Sequence, residues 1–310
     1  MERRLLILVL AVGVACKSND ATTPSPQTAW KTQSSGTSQV LLGTTFPDEL
    51  HGFASGTNGT IITTSDGGGS WKAQASGTSN FLRDIHFIDG TTGTIAGESG
   101  IILRTTNSGT TWSPQTSGTS EHLVHVNFLN KDAGMISGQK GVILTTTDGG
   151  TTWKKTSSGT SVELPGIFML SSMEACAVGF GGTILRTADA GATWTPISSN
   201  TTQDLRSIHF MNDFGIAVGL GGTILRSTDR GKTWTKVTSG ISKDLYAVHF
   251  SDPNTVFAVG TASIIESVDG GVTWKKSSAP DVSVDLYGLA IRNGKACTVG
   301  QGGVLLTYVP

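Results

Sequence analysis

The chain is poor in the residues that most enzymes and nucleic-acid binders depend on. It has three cysteines, three tyrosines and only 15% charged residues among 310. The formal net charge is -1, and no long block of Lys or Arg occurs. Non-specific binding to nucleic acid needs a basic footprint, so that class is set aside. The apolar run over residues 5–14 is too short to span a bilayer stably. What the chain does have is 41 glycines, with Ser and Thr, between short apolar runs. That is the composition of many short strands joined by tight turns.

The N-terminus reads as a targeting segment over residues 1–15. Arg3 and Arg4 make a positive n-region, and residues 5–14 an apolar h-region. It ends at Gly13-Val14-Ala15-Cys16, similar to a bacterial lipobox except that Gly13 stands where Leu is usual. The expectation is a Cys16-lipidated, exported protein of the cell envelope, on the outer membrane or its periplasmic or extracellular face. Cleavage after Ala15 without lipidation is the plainer alternative. Residues 16–28 read as a polar tether. The lipid anchor is the only membrane contact expected. Cys176 and Cys297 fall at one repeated apolar position, three blades apart, and are expected to be buried thiols.

Seven tryptophans, and no others, mark the rest of the chain: Trp30, Trp71, Trp112, Trp153, Trp194, Trp234 and Trp274. Their spacings are 41, 41, 41, 41, 40 and 40 residues. So strict a period means one supersecondary unit copied seven times. One copy reads Leu205 to Phe210, Gly215 to Gly219, Gly222 to Arg226, then Asp229 to Trp234 and a polar stretch. Four strands of about five or six residues, here called a to d, use about 40 residues, which is a propeller blade. The last copy stops after strand c, and the Trp30 segment supplies a strand d. The expected fold is therefore an all-β, seven-bladed propeller over residues 29–310, closed by pairing Trp30 to Gln33 with the strand around Gly303 to Thr307. It is expected to be monomeric.

The turn between strands c and d repeats Asp-x-Gly-x-Thr/Ser-Trp at Asp66, Asn107, Asp148, Asp189, Asp229 and Asp269. A short Asp or Asn accepts turn amides, Gly allows positive φ, and Trp packs over the hairpin. One carboxylate per turn falls short of a Ca²⁺ site, so structural turns are expected, with no metal or cofactor. These boxes resemble the Asp-box (BNR) repeats of sialidases and related propellers. The wider pattern Gly-x-Ala-Val-Gly-x-Gly-Gly-Thr-Ile-Leu-Arg is closer to the photosystem II stability/assembly factor family. That resemblance implies a seven-bladed, exported, non-catalytic propeller that binds or helps to assemble a protein partner.

No catalytic set separates itself from the repeat. Arg104, Arg186 and Arg226 share one position near the box face, as a solvated strand end or an arginine patch for an acidic partner. His86, His209 and His249 share a position in strand a; lying in blades two, five and six, they are not expected to converge, and read as structural. Asp204, Asp244 and Asp285 recur just before strand a as register residues. Gly219 to Gly222 is a hairpin without a following helix, so it gives no phosphate loop. The positions that vary lie at the start of strand a and in the b–c turns. Arg83, Glu98, Gln139, Phe180, Arg206, Tyr246 and Tyr287 form the expected partner-binding rim, because variable loops on a rigid frame carry recognition. A glycan-active or glycan-binding propeller is the alternative.

Overall fold

The computed structural model describes residues 29–278 and 282–309. The targeting segment, Cys16 and the tether lie outside the described residues. Seven four-stranded antiparallel sheets form blades 1 to 6 at residues 41–74, 82–115, 123–157, 166–197, 205–237 and 245–276. Blade 7 combines residues 286–309 with Ala29–Gln33. Strand a of blade 7 contacts strand a of blade 1, so the array is a closed ring. Trp30 lies opposite Tyr308 and Gln33 opposite Leu305, so the pairing falls within the strand expected around Gly303 to Thr307 and runs one residue past it. Closure leaves no sheet edge open between the ends.

Strands a to c have the expected length, whereas strand d of blades 1 to 6 has only two to four residues. Strand d lies on the outer edge and is mostly exposed, so little packing rewards its extension. The two shorter tryptophan spacings have separate origins. Blade 5 tightens its a–b hairpin to Asn212-Asp213, and blade 6 shortens its b–c turn to Thr261-Ala262.

The core lies between blades. In one cluster Cys176, Val178 and Ile184 of blade 4 pack on Leu205, Ile208, Phe210 and Trp234 of blade 5. No blade buries its apolar face alone, which is why the unit is repeated. Both cysteines are buried free thiols, with pKa pushed up to about 12 by burial. In blades 1, 2, 3 and 5 the box tryptophan meets a phenylalanine at the end of strand a edge-on, with centroids 5.9 Å apart for Phe46–Trp71 and 5.7 Å for Phe210–Trp234. The b–c turn of most blades is a single 3₁₀ turn ending in a glycine. At Gly100, with φ +73°, an added Cβ would lie 2.0 Å from the Thr119 carbonyl, so only glycine fits.

Candidate partner-binding surface at the channel mouth

Strand a lines the central channel, and its second residue has unusual backbone pairing. Six blades shift register there, between Leu41 and Gly43, Leu82 and Asp84, Leu123 and His125, Leu205 and Ser207, Leu245 and Ala247, and Leu286 and Gly288. A bulge leaves one residue out of the ladder and re-aims its side chain. The bulged residues include Arg83, Arg206, Tyr246 and Tyr287. All four line a channel cavity of about 550 Å³.

These side chains form local pairs at the mouth. Arg83 Nη2 donates to Glu98 Oε1 at 2.5 Å. The Arg206 guanidinium sits 4.4 Å over the Phe180 ring and 3.6 Å from Asp204. The Tyr246 and Tyr287 rings are 5.4 Å apart, and the Tyr246 hydroxyl bonds Thr261 at 3.1 Å. Arg83 Nε and Arg206 Nε are buried without a hydrogen-bond acceptor in the described chain. Glu98 and Phe180 reach the mouth through their arginine partners, while Gln139 is half-buried on the b–c turn of blade 3. The rim thus divides into an Arg83–Glu98 pair, a Phe180–Arg206 pair and a tyrosine pair.

Two of the three register aspartates hold the b–c turn of the preceding blade, while the Asp285 carboxylate accepts the Tyr287 hydroxyl at 3.4 Å. Asp204 accepts the Gly181 amide at 2.9 Å and Asp244 the Gly221 amide at 2.8 Å, each on the preceding blade. Two of the three repeated histidines meet, and the third stands apart from them. His209 and His249, on adjacent blades, have ring centroids 3.8 Å apart, while His86 of blade 2 faces the Phe128 ring of blade 3 at 6.4 Å. The innermost strands of neighbouring blades run side by side, so equivalent positions on adjacent blades can meet. His125 joins them one pleat earlier and was missed, because it falls at a different register of strand a. Burial lowers His86 and His249 to about 4 and His209 well below its ordinary value, so all three are neutral at pH 7. Burial raises Asp84, whose carboxylate accepts the Val126 amide at 2.9 Å and lies 3.7 Å from His125. No cluster of these groups among the described residues has metal-binding geometry.

At the other end, the arginines are not a solvated row. Arg186 Nε donates to the Arg230 carbonyl at 3.1 Å, and Arg226 Nε to the Gly270 carbonyl at 2.7 Å, each in the next blade's box. Arg104 Nη2 reaches the Lys131 carbonyl of blade 3 at 3.2 Å. Glu174 binds both Arg186 and Arg230, the latter at 2.7 Å. Their charge is therefore engaged in joining blades.

The boxes close on themselves. Asp148 accepts the Thr146 hydroxyl at 2.8 Å, the Thr152 amide at 2.9 Å and the Thr152 hydroxyl at 2.6 Å. Asn107 keeps the same bonds, its amide nitrogen donating to the Thr111 hydroxyl. Hydrogen bonds from Thr152, Thr193 and Thr273 hold Asp148, Asp189 and Asp269 down at about 2, and Ser70 lowers Asp66 further.

The sequence model of photosynthesis system II assembly factor YCF48 matches residues 23–116 and 159–242. A sequence search of curated proteins gives no match. Similar solved structures include YCF48 bound to D1 peptide, with TM-score 0.76 and 23% identity over 91% of this chain and 95% of that one. YCF48 from Cyanidioschyzon merolae gives 0.75 and 24% over 91% and 99%. The GH74 xyloglucanase from Xanthomonas campestris gives 0.70 and 14%, over 89% of this chain and 53% of its own. At these identities structural likeness carries the fold alone.

Proposed function

The chain belongs to the family of photosynthesis system II assembly factor YCF48, and we propose from that premise that it is a non-catalytic propeller whose channel mouth binds a protein partner and helps to assemble it. The observation that carries this reading is the ring of bulges aiming Arg83, Arg206, Tyr246 and Tyr287 at the channel mouth. Arginine and tyrosine anchor protein interfaces, and side-chain rearrangement on binding would give the two Nε groups the acceptors they lack among the described residues. The similar YCF48 solved with a D1 peptide supports a polypeptide as the ligand class. The targeting pattern ending at Cys16 supports an exported, lipid-anchored protein of the cell envelope.

The test is capture from envelope extract of the producing organism, comparing the whole mature chain with an Arg206→Ala, Tyr246→Ala, Tyr287→Ala triple variant. The triple should lose the partner while melting normally; unchanged capture would overturn the rim. Replacing Arg104, Arg186 and Arg226 by Ala breaks blade contacts, so its loss of capture implicates that face only if melting is unchanged. Turnover of fluorogenic glycosides, abolished by one carboxylate substitution, would overturn the non-catalytic reading in favour of a glycan-active propeller. Cys16→Ser should release the protein from membranes; unaltered membrane association would remove the lipid anchor.

A further inference from the structure

At the box end, each seam between blades is filled by a cross-strand pair from strands b and c of the preceding blade. In six seams one member is large, as in Met135 with Thr145, Cys176 with Arg186, or Thr94 with Arg104. The seventh pair is Cys297 with Thr307, and both are small. The closing seam between blades 7 and 1 accordingly keeps a cavity of about 220 Å³.

The molecule itself shows what such a cradle takes. At the blade 2–3 seam the Arg104 guanidinium lies 5.0 Å over the Phe128 ring and donates to the Lys131 carbonyl. Phe46 and Glu49 are the equivalents in blade 1, and both line the cavity. The carbonyl is equally placed in the two seams. A Cβ on Gly149 would lie 2.9 Å from the Lys131 oxygen, and one on Gly67 would lie 2.9 Å from the Glu49 oxygen. Ring and acceptor are therefore conserved within the molecule, while the arginine is replaced by Thr307. The carboxylates of Asp48 and Glu49 stand where blade 3 has Asn130 and Lys131. With Asp66 they outnumber the two cations of the lining, Arg292 and Lys295 on the blade 7 wall. An aromatic face, a carbonyl and a net negative lining suit a planar cation on an alkyl stem.

We propose that the closing seam is a binding site for an alkylguanidinium, the side chain of arginine, seated against Phe46, the Glu49 carbonyl and Thr307. It lies on the face opposite the channel mouth and stands independently of the rim.

The test titrates the whole mature chain with N-acetylargininamide by calorimetry and by amide shifts of blades 1 and 7. Saturable binding is expected, at least about tenfold weaker for the uncharged citrulline analogue. Two variants fill the cavity in different ways: Thr307→Arg supplies the in-chain guanidinium, and Cys297→Met copies the blade 3 pair. Both should abolish binding; if Thr307→Arg does not fold, Cys297→Met decides alone. No binding, or binding unchanged in a folded, filled variant, overturns the site. Free arginine distinguishes the source. Tighter binding of the blocked form assigns the guanidinium to a polypeptide, equal binding admits the free amino acid, and binding of free arginine alone overturns the proposal, because the backbone charges would then be read.

Discussion

The two ends of the propeller use similar residues for different ends. At the box end, arginines and carboxylates are bound to backbone within their own turn or on the next blade, as Arg226 is to the Gly270 carbonyl and Asp148 to the Thr152 amide. At the channel mouth, Arg83 and Arg206 pair with side chains and each keeps a buried Nε without an acceptor. The box end instead exposes apolar side chains, among them Leu50, Leu129 and Met173. The difference teaches that a repeated charged residue is not a binding patch by virtue of its charge. A fixed backbone acceptor in every neighbouring blade makes it a connector, whereas the absence of one leaves it available.

The largest test of the connector end is to open the ring. Deleting residues 29–34 removes strand d of blade 7, uncovers Leu305–Val309 and takes Trp30 from Phe257. A large fall in melting temperature and loss of monodispersity in size-exclusion chromatography are expected, because an exposed edge invites association. Unchanged melting and a single monomer peak would mean the closing strand does not hold the ring.

Glu174→Ala comes next. It removes the carboxylate shared by Arg186 and Arg230 and leaves Arg186, only 13% exposed, without its charge partner. A loss of about 1.5–3 kcal/mol in denaturant unfolding is expected, the range for hydrogen bonds to charged groups. Glu174→Gln should recover part of that loss.

The channel lining and the boxes also separate by pH. His86 and His249 have folded-state values of about 4, depressed below the ordinary 6.5, so the unfolded chain binds protons first. Their contribution is complete above about pH 6.5 and is lost as pH falls towards 4. The box aspartates are held at about 2 against an ordinary 3.8, so their contribution is complete above about pH 4 and is lost as pH falls through 2. Melting temperature followed from pH 7 to 2 should therefore fall in two windows. His249→Gln should make the upper one shallower, replacing His86 and His209 as well should flatten it, and neither should change the lower one; a triple variant that keeps the upper slope would move its origin away from the channel.

The smallest effects are expected in single boxes. Asp148→Asn should be nearly neutral at pH 7, since Asn107 already makes the same turn bonds, whereas Asp148→Ala should lower the melting temperature. Calcium or a chelator should change neither, because each box offers one carboxylate. A chelator-induced drop in melting would show a metal in these turns.

Architecture was legible because it rests on local rules repeated seven times. The tryptophan period, the Gly-bounded β runs and the box turns each report backbone geometry that neighbouring residues enforce. The site was legible only as a set of positions. Nothing local marks Arg83 as sitting in a bulge, since the register shift arises where strand a meets strand b. Nor does sequence separation show that the His209 and His249 rings, 40 residues apart, meet at 3.8 Å.

The sequence by itself determined the number of blades, the strand order within each and the closure between Trp30 and the last copy. Those follow from periodicity and short-range turn chemistry. Only the tertiary structure decided what each charged residue does, because that depends on what the adjacent blade places opposite it. The same strand position is a connector at Arg186, where the Arg230 carbonyl waits across the seam, and a gap at Thr307, where Phe46 and the Glu49 carbonyl stand beside a cavity.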